Sequence, residues 1–225
     1  MVSIKYLGHS CFLIEMNGRV IFTDPWLEAR PRDKERLIPP AITADKVRRA
    51  DIILVSHEHY DHCDPYDIGT IVQRTFAQVV APQGAMEKLD IPIRSKVSAN
   101  VGDSFELMGV HIDVVEARHP QSPSAVGYIL KGEDKKIYFA GDTYQFPSMN
   151  SINVDVAILP IGGNYTMDML SALTALKQMR AKIVVPMHYN TFSQIRASPE
   201  EFARRVREST KVEPVVLRLG EGFTI

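Results

Sequence analysis

Residues 51–64 read DIILVSHEHYDHCD: an apolar, β-branched run, Ile52 to Val55, passes directly into His57, His59, Asp61 and His62. The run has the length and composition of a buried strand. Three imidazoles and a carboxylate then crowd into six residues where that strand should end. Packing such groups in a half-buried cleft requires shared protons or a cation, because uncompensated buried charge is expensive. Imidazole and carboxylate are the nitrogen and oxygen donors suited to zinc and related divalent ions. This segment therefore reads as a strand that delivers metal ligands at its C-terminal end.

Other apolar runs end the same way. IDVVEAR (112–118) precedes His119, KKIYFAG (135–141) precedes Asp142, and AKIVVPM (181–187) precedes His188. Open α/β sheets place their ligand sites at the C-terminal ends of strands, so four strand ends converge on one expectation. His111, inside a strand pattern, reads as structural. VSIKYL, CFLIEM and RVIFTD form an opening antiparallel meander with a tight turn at Asn17-Gly18. Asp64-Pro65 starts a helix running to about Arg74, Ser198-Pro199-Glu200-Glu201 gives a capping-box start, and DMLSALTALKQMRA supplies a third helix. In that third helix Leu170, Leu173 and Leu176 are assigned to the apolar face. Pro25 to Ala41, rich in proline and charge, reads as a long irregular loop of the kind that overhangs functional sites. Short β-branched runs alternating with helical segments indicate an α/β fold, and the absence of a linker or repeat indicates one domain over residues 1–225.

Lysine plus arginine number 26 against 27 aspartate plus glutamate, so no global attraction to nucleic acid or anionic lipid is expected. The start alternates like a strand and lacks the marks of a signal peptide, and no apolar run reaches membrane-spanning length. A cytoplasmic location without membrane or nucleic-acid partners is expected. Cys11 and Cys63 read as thiols of a reducing compartment; with a full donor set nearby, Cys63 is not needed as a ligand.

The spaced pattern His57-x-His59-x-Asp61-His62, with His119, Asp142 and His188 following in order, resembles the metallo-β-lactamase fold superfamily. Within it, GHSCFLIE, FTDPWL, GDT, PIGGNYTM and PMHYNTF are similar to a family described as uncharacterised metal-dependent hydrolases, with L-ascorbate-6-phosphate lactonase as a more distant relative. The resemblance implies a four-layer αβ/βα sandwich, two mixed β-sheets flanked by helices, with a dinuclear site at one edge. It implies His57, His59 and His119 for one ion, Asp61, His62 and His188 for the other, and Asp142 as a bridge. Where relatives commonly continue TMGPEDA, this chain has Thr166-Met167-Asp168-Met169-Leu170-Ser171-Ala172.

Two divalent ions are thus expected, zinc by preference, with manganese, iron, cobalt and nickel also suited to such donors. Three histidines leave a tetrahedral ion one position for water, which on zinc becomes hydroxide near neutral pH. Asp61 is expected to ligate and to orient the attacking water. Asp24, ending RVIFTD, resembles the early aspartate that hydrogen-bonds the ligand loop. His9, in the LGHSC turn, is a candidate catalytic contact to substrate or proton donor. Glu58 and Tyr60 alternate with the ligands and should pack into the loop. Asn164 and Tyr165, after paired glycines, and Asn190, after His188, are candidate pocket residues; Asn190 and Thr191 could equally order the last ligand's loop. Trp26 reads as a loop anchor or a pocket wall.

The resulting reading is a metal-dependent hydrolase acting on a small-molecule lactone or ester, phosphorylated or not. The alternatives are a phosphodiesterase or nuclease of the same fold and a metal-binding sensor without turnover. Homo-oligomerisation is left open.

Overall fold

The structure, a computed structural model, describes residues 1–27 and 36–225. The expected loop from Pro25 to Ala41 falls outside the described residues over 28–35. The first sheet contains β1 (Ser3–Gly8), β2 (Cys11–Met16), β3 (Arg19–Thr23), β4 (Ile52–Leu54), β5 (Gln78–Ala81) and β6 (Lys96–Ser98). The second contains β7 (Ser104–Leu107), β8 (Val110–Glu116), β9 (Val126–Gly132), β10 (Lys135–Phe139), β11 (Asn153–Pro160), β12 (Arg180–Met187) and β13 (Glu213–Pro214). A last strand, β14 (Gly222–Thr224), returns to β1, so the described residues form two seven-stranded sheets in the orders β14-β1-β2-β3-β4-β5-β6 and β13-β12-β11-β10-β9-β8-β7.

Both sheets are mixed. Antiparallel pairing runs from β14 to β3 and from β7 to β10, and parallel pairing runs from β3 to β6 and from β10 to β13. Antiparallel meanders need only tight turns. Asn17 (φ 50°) and Gly18 (φ 69°) supply the left-handed pair that a two-residue hairpin demands. The parallel strands need crossovers, and those carry the helices α1 (Pro65–Thr75), α2 (Gln83–Met86), α3 (Met169–Gln178) and α4 (Pro199–Ser209).

Alternation along β4 shows how the layers form. Ile52 and Leu54 face the second sheet in the large central core, while Ile53 and Val55 join Ile68, Ile71 and Val72 of α1 on the outer side. Side chains alternate across a strand, so a run apolar at every position must be covered on both faces. On the far side, Ala172, Ala175 and Leu176 of α3 and Phe202 and Val206 of α4 close the fourth layer. The result is the expected αβ/βα sandwich.

The helix starts follow from their caps. Asp64 accepts from Tyr66 N and Asp67 N, and Ser198 accepts from Glu201 N. Asp168 and Ser171 form a reciprocal box, so the divergent Thr166–Ala172 stretch still begins its helix. The apolar face needs one correction. The row packed on the core is Ala172 and Leu176, buried, with Met169 and Leu173 partly so, and Leu170 lies 57% exposed.

Candidate metal centre

The donors gather at one edge of the sandwich, beyond the ends of β4, β8, β10 and β12. β4 delivers the loop carrying His57, His59, Asp61 and His62; β8, β10 and β12 deliver His119, Asp142 and His188. Close approach of these ends is built into the backbone. A β-carbon on Gly141 (φ 59°) would lie 2.5 Å from Ser56 Cβ, and one on Gly162 would collide with the His188 carbonyl. His9, Asp24 and His188 hold φ of 58°, 35° and 54°, a left-handed conformation that side chains rarely adopt and that collects at functional sites.

Two clusters result. In the first, His57 Nε2 lies 3.0 Å and His119 Nε2 3.2 Å from His59 Nδ1. Metal–nitrogen bonds of ~2.0–2.1 Å at tetrahedral angles separate neighbouring donors by ~3.3 Å. The three rings are spaced to share an ion. In the second, Asp61, His62 and His188 approach with His9, their donor atoms all within 4.8 Å of one another. Asp142 lies between the clusters: Oδ1 is 3.3 Å from His62 Nε2, and Oδ2 is 3.2 Å from His188 Nε2 and 3.9 Å from His57 Nε2. Each cluster draws on both sheets, since the first sheet provides the His57–His62 loop and the second provides His119, Asp142 and His188.

These residues fit a divalent cation by an independent sign. His62 Nε2, His188 Nε2 and Asp142 Oδ1 are buried with no hydrogen-bond partner, a costly arrangement for a protein unless something else engages them. Electrostatics agree. Burial opposes charge on Asp142 and Asp61, yet the surrounding His188 and His62 hold Asp142, and His62 and His9 hold Asp61, below the ordinary carboxylate range. Burial, His62 and the other rings drive His57 well below the ordinary histidine value, so its nitrogen remains a free donor. Burial likewise lowers His119.

Asp24 stands behind this layer, fully buried. Its carboxylate accepts from Ser56 N at 2.7 Å and from Ser56 Oγ at 2.6 Å, and lies 2.7 Å from His62 Nδ1. Ser56 Oγ in turn contacts His57 Nδ1 at 2.9 Å. One aspartate thus fixes a ligand in each cluster. Asp24→Asn keeps the shape but removes the charge that orients His62, and is expected to weaken metal affinity ~10–100-fold. A metal titration indistinguishable from wild type would reduce Asp24 to a turn residue.

A cleft of about 360 Å³ opens onto the centre, lined by His59, Tyr60, Asp61, His119, Asp142 and His188 from the donor set and loop. Asn164, Tyr165, Gln121, Phe192, Gln194 and Ile195 complete its wall. Asn164 and Tyr165 therefore occupy the pocket position expected of them. Asn190 takes the other role expected of it, ordering the last ligand's loop: its side chain donates to Ala197 O at 2.9 Å and accepts from Ala197 N at 3.1 Å, closing the loop behind His188. His9 is displaced from its expected role. It is fully buried behind the cleft, ringed by Trp26, His62, His188 and Phe192, with no face toward a substrate.

Glu58 packs as expected, accepting from Ser122 Oγ at 2.6 Å. Tyr60 instead turns to the cleft, edge-on to Trp26 and Phe192. Trp26 is a buried anchor, stacked on Phe192 and covered by the Arg36 guanidinium at 4.0 Å. Cys63 is a buried thiol outside both clusters. His111 stays in β8, away from the centre, with Ser104 and Asp113. Gln121 and Gln194 carry no sequence signal, being ordinary residues whose place depends on loop path, and Phe192, which closes PMHYNTF, is not marked there as a pocket residue. Among the described residues no helix is long and apolar enough to cross a membrane.

A family model described as a β-lactamase superfamily domain matches residues 3–188. A protein named UPF0173 metal-dependent hydrolase from Thermofilum pendens is 37% identical, the alignment covering 98% of each chain. One of the same name from Staphylothermus marinus is 37% identical over 100% of this chain and 99% of its own. The solved structure of a metallo hydrolase from the archaeon Ignicoccus hospitalis superposes with a TM-score of 0.82 at 32% identity, covering 100% of this chain and 99% of that one.

Proposed function

The chain belongs to the metallo-β-lactamase superfamily, as a member of its metal-dependent hydrolase family, and we propose that it hydrolyses an uncharged lactone or ester at a two-ion centre. The observation that carries this reading is the cleft that opens onto donors of both clusters, His59 and His119 of the first and Asp61 and His188 of the second, with Asp142 between them. His57, His59 and His119 would hold one ion, Asp61, His62 and His188 the other, with Asp142 shared. When bound, such ions supply Lewis acidity, lowering the pKa of water toward 7 and polarising the substrate's acyl oxygen.

The chain's own residues do the rest. Asp61 lines the cleft as a carboxylate and accepts a hydrogen bond from the attacking water, aiming its oxygen at the acyl carbon. Tyr60, Phe192 and Ile195 exclude solvent on one side, and Gln121, Asn164 and Gln194 offer amides to the polar parts of the substrate. Beyond the donor set, the described lining is of amides, tyrosines and apolar side chains, with no lysine or arginine among the described residues to add a charged hold on a phosphoryl group. That lining favours the uncharged ester over the phosphorylated one and over the nuclease alternative. Zinc heads the suited ions, followed by manganese, iron, cobalt and nickel.

The test is a substrate panel on zinc- and manganese-reconstituted protein: neutral lactones, carboxylic esters, phosphorylated lactones and phosphodiesters. Turnover of neutral lactones or esters at the highest kcat/KM is expected. A preference for phosphodiesters would move the assignment to the phosphodiesterase reading, and metal binding without turnover of any of them to the sensor reading.

A further inference from the structure

His9 is built like a ligand. Three histidines of the site share one construction: Nδ1 rests on an oxygen and Nε2 projects into the donor cluster. His57 Nδ1 rests on Ser56 Oγ, His62 Nδ1 on Asp24 Oδ2, and His9 Nδ1 on Thr191 Oγ1 at 2.5 Å. Metal-bound histidines characteristically donate their second N–H to such an oxygen, which fixes the tautomer and leaves the other nitrogen's lone pair for the ion.

His9 Nε2 is buried and makes no hydrogen bond. It lies 3.3 Å from Asp61 Oδ2, out of alignment for a hydrogen bond, and within 4.8 Å of the donor atoms of Asp61, His62 and His188. Its ring centroid is 4.2 Å from that of His188, and its carbonyl accepts the His188 N–H. The turn therefore holds two imidazoles side by side over one position, at the cost of left-handed backbone at both residues.

We infer that His9 is a ligand of the second ion, joining Asp61, His62 and His188, with Asp142 shared. This rests on the two-ion reading above. It makes the two positions chemically unlike. Three histidines and the shared Asp142 make the four donors of an ion such as zinc. Four donors plus the shared Asp142 suit ions that take five or six ligands at ~2.0–2.2 Å, where neighbouring donors lie ~3 Å apart and opposite ones ~4.2 Å. The second position thus suits a higher-coordinate ion, manganese, iron, cobalt or nickel among those expected.

Cobalt(II) titration of metal-free protein tests this, read by calorimetry, visible absorption and the hyperfine-shifted imidazole N–H signals in proton NMR. Wild type should take up two ions, one with the intense absorption of four-coordinate cobalt and one with the weak absorption of a higher-coordinate ion. His9→Gln should weaken the second ion by more than the ~10–100-fold typical of residues that only orient a ligand, intensify its band as a donor is lost, and leave the first ion unchanged. Thr191→Val, which removes only the oxygen behind His9, should weaken the second ion ~10–100-fold and speed solvent exchange of one shifted N–H. Should His9→Gln fail to fold, Thr191→Val decides. An unchanged second ion, in affinity and spectrum, would overturn the His9 assignment while leaving the two-ion reading standing; no cobalt uptake by wild type would overturn both.

Discussion

Asp142→Ala is expected to bind one ion instead of two and to lose turnover by at least ~10²–10³-fold, the scale on which one stabiliser of developing charge acts. The side chain reaches both clusters: Oδ1 faces His62, and Oδ2 faces His188 and His57. Its removal takes one negative charge and one shared donor from a buried place among the donor histidines. The three-histidine cluster keeps its own geometry, so the first ion should remain. Elemental analysis and steady-state rates of the purified variant check both halves of this expectation, and a normal two-ion content would sink the bridge. Asp142→Asn separates charge from shape, since it retains one oxygen donor.

His62→Ala should lower the midpoint of thermal unfolding of the metal-free protein by ~6–20 °C. His62 is buried among Asp24, Asp61 and Asp142. Burial alone would push its imidazole down, but Asp142, Asp61 and Asp24 together hold it well above the ordinary histidine value. Without metal, imidazolium is the cation that keeps these carboxylates together. Breaking a buried pair by removing one partner costs ~3–5 kcal/mol, and each kcal/mol is worth ~2–4 °C in a chain of this size. The proton is bound more tightly in the folded state, so this contribution is full below the unfolded histidine pKa of ~6.5 and is lost as pH rises through the raised folded value. The gap between wild type and His62→Ala should accordingly narrow in alkali. Calorimetry of the two proteins, with the partly exposed histidine variant His111→Ala as a control near zero, checks it; a gap under ~2 °C at pH 6 would show that the carboxylates are relieved by other means.

Much of the fold and the donor set is legible in the amino-acid order alone. Strand ends that deliver His57, His119, Asp142 and His188 can be read because β-branched runs and donor residues are both marked in the sequence, and Asp24 stands at the end of such a run. Caps at Asp64 and Ser198 can be read because they depend on residues a few positions apart. Leu170 is misplaced by a pure leucine count because steps of three residues drift off one face: at 3.6 residues per turn Leu170 lies about 120° from Leu176, and Met169 only about 20° from it. Proximity in sequence to a ligand or a motif points Asn190 and His9 toward substrate, whereas loop closure on Ala197 and burial under Trp26 and Phe192 decide their roles. The cleft wall at Gln121, Phe192 and Gln194 comes from loops that meet only in three dimensions.

The division of donors between the two sheets has a thermodynamic reading. Neither sheet holds a full ligand set alone, so the unfolded chain binds these ions far more weakly than the native one, and each ion adds stability as RT ln(1 + [L]/Kd). Above saturation, every tenfold rise in free metal adds ~1.4 kcal/mol per ion, or ~2.7 kcal/mol with both positions filled. Between those regimes the unfolding temperature changes slope. Melting point plotted against the logarithm of free metal thus becomes a meter that counts the ions joining the two halves of the sandwich.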